Sequence, residues 1–211
     1  MHIHLIVGAV LSALSIAGGA SLFQARAEDP DDDGRPAVAT FAGGCFWSIE
    51  KAFDGQPGVI SAVSGFMGGK TENPTYNEVV RGKTGHLEAV QVTYDPKKIT
   101  YDKLLDIYWH DIDPTNDYGQ FCDFGDQYRT AVFVEGDAQK RLAETSKIEV
   151  GKDLNQTVTT EIRPASLFTP AGPEHQDFAK TNPGHYQAYL IGCQREARLR
   201  AVWGEKAHAG L

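Results

Sequence analysis

The sequence predicts an α+β domain, an α/β two-layer sandwich in which helices cover one mixed sheet. Two patterns carry that expectation. Short apolar runs with strand-like alternation take turns with stretches whose apolar residues recur at helical spacing, and a longer loop and a tail interrupt the series. No solenoid period and no second linker-like stretch divides the chain after residue 36, so residues 37–211 read as one domain, long enough to bury a sizeable core.

Residues 5–23 are almost wholly apolar or small, and Ala25-Arg26-Ala27 fits a small-residue cleavage signal, although residues 1–4 lack Lys and Arg. Residues 1–27 are therefore expected to be an export signal that is removed. An uncleaved anchor is the alternative, because the apolar run is near the lower length limit for a span. Residues 28–36, centred on Asp31-Asp32-Asp33-Gly34, read as a solvated acidic linker. The formal net charge is −8, and Arg26 is the single formal charge within 1–27. An acidic excess argues against nucleic acid or an anionic membrane surface as a partner. The three cysteines are an odd number, which leaves at least one thiol outside any intramolecular bridge.

Residues 38–42 read as a buried strand. Gly43-Gly44 follow, then Cys45, then Phe46, Ile49 and Phe53 at helical spacing. Cys45 thus falls at a helix start, where unpaired amides and the helix dipole favour a thiolate, and a lowered pKa is expected. The other reading is a small buried core thiol; the glycine turn and the helix start favour a nucleophile, with Phe46 and Trp47 as an apolar wall beside it. Residues 59–66 read as a strand, and 68–74 as a loop. Thr75 and Glu78 fit a capping box, which puts Tyr76 at a helix mouth. Residues 86–94 alternate as a strand, with Glu88 on the face of Val90, Val92 and Tyr94. A carboxyl on an apolar face is either at the strand end with its head in water or held neutral for proton transfer. Residues 100–110 have helical spacing, and 113–128 form a long polar loop with interleaved aromatics, a type of segment that is often functional. A strand at 128–134, a helix at 137–150, a short strand at 158–162, a helix start within 172–180 and an Arg-rich surface helix at 194–203 complete the series. No dinucleotide fingerprint, phosphate loop or C-x-x-C pair occurs, and His175 with His185 is the one nearby histidine pair in the tail, so a metal site is not expected.

Gly43-Gly44-Cys45-Phe46-Trp47 closely resembles the signature of peptide methionine sulfoxide reductases of the A type. Asn73-Pro74-Thr75-Tyr76, Gly85-His86-Leu87-Glu88, Gly125-Asp126-Gln127-Tyr128-Arg129 and Glu174-His175-Gln176 with Asn182-Pro183 are similar to the family's other landmarks, in order, over about residues 37–185. The resemblance implies a ferredoxin-like core and a role for each matching residue. Cys45 matches the nucleophile that attacks the sulfoxide sulfur. Glu88 matches the acid, Tyr76 and Tyr128 the hydroxyl donors to the sulfoxide oxygen, Asp123 an acidic residue of the site, and Phe46 and Trp47 the pocket for the substrate methyl group. It also implies reduction of methionine S-sulfoxide, protein-bound or free, through a Cys45 sulfenic acid. No bound cofactor is expected. The reductant would be an external thiol, a thioredoxin-like protein or a dithiol, and the enzyme is expected to be an exported, periplasmic monomer that is not held at a membrane once its signal is removed. The departure lies in the tail: 184–189 carries no cysteine, and Cys193 and Cys122 are the candidates for a resolving thiol, each with an inert reading beside it. Two alternatives stay open, another cysteine enzyme that reduces peroxides and a non-catalytic exported module that binds peptides.

Overall fold

The computed structural model describes residues 35–208. The expected export signal and most of the acidic linker lie outside the described residues.

The elements run β1 (Ala37–Gly43), α1 (Phe46–Phe53), β2 (Val59–Met67), α2 (Tyr76–Val79), β3 (Leu87–Tyr94) and α3 (Tyr101–His110). A two-stranded ribbon, β4 (Gly119–Gln120) and β5 (Asp123–Phe124), leads to β6 (Thr130–Val134), α4 (Gly136–Leu154), β7 (Glu161–Pro164) and β8 (Thr169–Pro170). Three helices close the described chain: α5 (Phe178–Thr181), α6 (Pro183–Gly192) and α7 (Arg195–Trp203). The main sheet has the order β7-β6-β1-β3-β2-β8. Its neighbours are antiparallel except β6 and β7, which are parallel, so the sheet is mixed as expected. Within it, β1-α1-β2-β3-α3-β6 with strand order β6-β1-β3-β2 is the ferredoxin-like arrangement.

β1 lies in the middle of the sheet, which is why 38–42 reads as a mostly apolar run. Phe41 stands opposite Val90 on one neighbour and Val132 on the other. On that face the main core joins these residues to Phe46, Ile49 and Phe53 of α1 and Leu104, Leu105 and Tyr108 of α3. The reverse face holds a smaller cluster of Ala42, Met67, Leu87, Ala89, Ala131 and Phe133, against which Ala165 and Phe168 pack. The period of two along β3 therefore sends Leu87 and Ala89 to the small cluster, and Glu88, Val90, Val92 and Tyr94 to the helical face.

Local chemistry sets the boundaries near the site. The Glu78 carboxylate accepts from the Thr75 N–H at 2.8 Å and the Thr75 hydroxyl at 2.7 Å, closing the first turn of α2. Gly44 has φ +80°, and a Cβ there would lie 2.5 Å from Cβ of Gln120, so the turn before Cys45 needs glycine on both counts.

Four segments differ from the sequence reading. The strand expected at 158–162 lies at Glu161–Pro164, and the loop 113–128 contains the β4–β5 ribbon and a 3₁₀ turn, Asp126–Tyr128. Gln120 organises that loop: buried, it accepts from the Asp113 N–H and donates to the Asp113 and Gly119 carbonyls, each at 2.8 Å. The segment after Asn182 is a helix, α6, opened by Pro183 at its first turn. α7 is not a pure surface helix. Arg195, Leu199 and Trp203, spaced four apart, turn one face inward, and the Trp203 indole donates to the Ile112 carbonyl at 2.8 Å.

Candidate active site

Cys45 ends the turn after β1 and is the N-cap of α1. It is 7% exposed and is the free cysteine of the three. Glu88, the second residue of β3, faces the N-terminus of α1 and is 2% exposed. Its Oε2 accepts the Phe46 N–H at 3.0 Å. The Glu88 head is therefore buried and not in water at the strand end. Burial pushes the Glu88 carboxyl up to about 8, against the Phe46 hydrogen bond, and the Asp123 charge adds to the rise. Glu88 is thus mainly a neutral acid at pH 7.

The thiol departs from expectation. Burial, then the nearby carboxyls of Glu88 and Asp123, push Cys45 well above the ordinary thiol value, while the Trp47 N–H and the Tyr189 hydroxyl act the other way. The reason is a contest the helix start loses. A helix end is worth about 1 kcal/mol or less, burial of a charge costs more, and the Phe46 amide is spent on Glu88 rather than on the sulfur.

The other sequence-predicted residues converge on this pair from separate elements. Tyr76 opens α2, and Tyr128 closes the 3₁₀ turn after the ribbon. Burial first, then Glu88, lifts both phenols, Tyr76 to about 12, and Cys45 and Asp123 contribute in both cases. Asp123, in β5, is raised by burial and accepts the Tyr189 hydroxyl on Oδ2 at 2.6 Å. Phe46 is buried, and Trp47 is half-buried and stacked on Phe178 with ring centroids 3.7 Å apart and 7° between planes. The buried Trp47 Nε1 has no hydrogen-bond partner.

Several residues at the site were given no role there by the sequence. The His175 ring lies 4.2 Å from Tyr76 and 5.4 Å from Phe46, and burial holds it below the ordinary histidine value. His175 and His185 both lie against the Trp47 ring. Tyr186 and Tyr189, three apart on α6, face the site: Tyr186 donates to the Ser48 hydroxyl at 3.4 Å. Recognising α6 as a helix would have exposed that spacing. Cys122 and Cys193 are joined to each other, so in this state neither offers a thiol to Cys45.

The assembly sets a buried thiol beside a neutral carboxylic acid and two phenols, under an aromatic wall. A family model described as Peptide methionine sulfoxide reductase matches residues 37–207. The chain belongs to the peptide methionine sulfoxide reductase family. Peptide methionine sulfoxide reductase MsrA of Bacillus licheniformis is 50% identical over 171 residues, covering 80% of this chain and 94% of that protein. The protein of the same name from Bacillus subtilis is 48% identical over 171 residues, covering 80% of this chain and 97% of its own length. Among solved structures, methionine sulfoxide reductase A of Corynebacterium diphtheriae is similar with TM-score 0.62 and 35% identity, over 71% of this chain and 77% of that one. Reduced Mxr1 from Saccharomyces cerevisiae aligns with TM-score 0.68 and 29% identity, over 72% of this chain and 88% of its own. Membership accounts for the order of the motifs along the chain, from the Cys45 turn to the His175 segment.

Proposed function

We propose that this methionine sulfoxide reductase works through Cys45, with Glu88 as acid. The carrying observation is Glu88 itself, buried at the N-terminus of the helix that Cys45 caps and neutral up to about pH 8. A sulfoxide oxygen leaves only once protonated, and a neutral acid beside the sulfur supplies that proton. The Cys45 sulfur attacks the sulfoxide sulfur, the substrate S–O bond breaks and a Cys45 S–O bond forms. Methionine is released, its sulfur reduced by two electrons, and Cys45 becomes a sulfenic acid. Tyr76 and Tyr128 donate to the departing oxygen, Asp123 completes the polar side, and Phe46 and Trp47 hold the substrate methyl group. The S epimer is the substrate, in proteins and as the free amino acid.

Two thiol equivalents then return Cys45 to the thiol with loss of water. A thioredoxin-like protein or a dithiol supplies them. Cys122 and Cys193 act as resolving thiols only from their reduced form; with the disulfide in place the external thiol meets Cys45 directly. Export to the periplasm is supported by the apolar run with its Ala25-Arg26-Ala27 signal, and the disulfide fits an oxidising compartment. No observation favours a peroxide-reducing enzyme or a binding-only module.

The test is dithiol-driven reduction of the separated S and R epimers of a blocked methionine sulfoxide, with Cys45→Ser alongside. Turnover of the S epimer alone, lost in Cys45→Ser, is expected. Absence of turnover by folded wild type overturns the reading.

A further inference from the structure

Glu88 supplies a proton on one side of Cys45, yet the buried thiol must also lose its own. Tyr189 stands where that proton can go. Its hydroxyl donates to Asp123 Oδ2 at 2.6 Å, its ring stands edge-on to Trp47, two residues after Cys45, and it favours the ionised form of the Cys45 thiol. A phenol has one proton and two lone pairs. With its proton given to Asp123, the Tyr189 oxygen keeps lone pairs that can accept the Cys45 S–H, which gives the chain one direction, from sulfur to carboxylate.

The surroundings hold this pair in place. Cys122 precedes Asp123, and Cys193 follows Tyr189 by about one helical turn, so their disulfide ties together the two segments that carry the pair. The Arg195 guanidinium lies 4.2 Å over the Phe121 ring and is ion-paired to Asp111 at 2.7 Å. Its charge favours the ionised form of Asp123, while burial raises that carboxyl and makes it a better base. The Tyr189 ring stands edge-on to Trp47, with centroids 6.1 Å apart. The titratable groups that act on Cys45 are thus Glu88, Asp123 and Tyr189, with Tyr76, Tyr128 and Tyr186 coupled to it in turn.

We propose that Tyr189 is a further catalytic residue of the reductase, passing the Cys45 thiol proton to Asp123 as the sulfur attacks. In that step the S–H proton moves to the Tyr189 oxygen, and the Tyr189 proton moves to the Asp123 carboxylate. Glu88 gives its own proton to the oxygen that becomes the Cys45 sulfenic acid. Glu88 ends ionised and Asp123 protonated, the two-electron change is confined to the two sulfurs, and solvent returns the proton between turnovers. The path rests on the sulfoxide-reductase reading of Cys45 and Glu88.

Tyr189→Phe keeps the ring and removes the hydroxyl. Two measurements test it: the single-turnover rate of methionine formation from the S-sulfoxide, and the pH profile of Cys45 alkylation by iodoacetamide, which needs no sulfoxide activity. Tyr189→Phe is expected to slow single turnover by about 10-fold or more, with KM changed by less than about 2-fold, and to move alkylation to higher pH. Asp123→Asn should slow single turnover, and the double variant should be no slower than the slower single one. An unchanged single-turnover rate and alkylation profile in Tyr189→Phe, or losses that multiply in the double variant, overturn the path. Neither result touches the sulfoxide reading, which fails only if wild type itself does not turn over.

Discussion

Cys45 sits between two walls built in different ways. On one side Glu88 hangs from β3, in the middle of the sheet, and its contact is a backbone amide, Phe46 N–H. On the other side Asp123 hangs from a short ribbon and is held by side chains: the Tyr189 hydroxyl, with Arg195 and the Cys122–Cys193 disulfide behind it. The first wall is dry and holds a neutral acid. The second is more open and combines a buried cation with a carboxylate. In the proposed mechanism this contrast keeps an acid and a base apart around a single sulfur: environment, not residue type, separates the two carboxyls.

The largest expected effect lies on the sheet-borne wall. Glu88→Gln should cut kcat/KM on the S-sulfoxide by roughly 10²–10⁴-fold, the range for loss of a positioned acid. In wild type kcat/KM should fall as pH rises through about 8, because the neutral carboxyl is the active form, and that limb should vanish in the variant. A wild-type rate in Glu88→Gln would falsify the acid assignment and leave the two walls equivalent.

On the other wall the main effect is on stability. Arg195 and Asp111 are both buried, and Arg195→Ala leaves the Asp111 carboxylate with His208, 3.2 Å away, as its remaining ion-pair partner among the described residues. Chemical denaturation should register a loss of about 3–5 kcal/mol. A loss under about 1 kcal/mol would mean that the helical wall stands without this pair. Smaller still, Tyr76→Phe and Tyr128→Phe each remove one hydroxyl that the proposed mechanism directs at the substrate oxygen, and each should cost about 10-fold in kcat. Equal KM values would place the loss in the transition state.

The smallest effect sharpens the contrast through linkage. The folded-state value of Glu88, about 8, lies above its ordinary 4.5, so the folded protein binds the extra proton. Its contribution to stability is present below about pH 4.5 and declines as pH rises to about 8. Denaturation midpoints of Glu88→Gln should therefore gain on wild type across that interval. A parallel pair of curves would show that Glu88 is not the group held neutral.

Most of the sheet-borne wall was legible along the chain. The Gly43-Gly44 turn, the Thr75–Glu78 box and the alternation that puts Glu88 beside Val90 are local patterns, written by backbone geometry over a few residues. They placed Cys45, Tyr76 and Glu88 on their elements, and the ordered motifs indicated the family. The helical wall was legible only in part. Asp123 and Tyr128 came from the family likeness, while α6 went unread because its apolar side chains show no clear one-sided pattern. The Arg-rich look of 194–203 concealed a buried arginine.

What the sequence determined by itself, then, is the strand and helix order, the glycine turn that presents Cys45 and the face on which Glu88 lies. Each depends on neighbours in the chain. Tertiary structure alone decided that the Cys45 thiol is held protonated rather than ionised, that Cys122 and Cys193 close on each other across 71 residues, and that Tyr189 reaches Asp123. These depend on desolvation and on charges from distant segments, whose strength is set by burial and distance and by nothing a local stretch of sequence encodes.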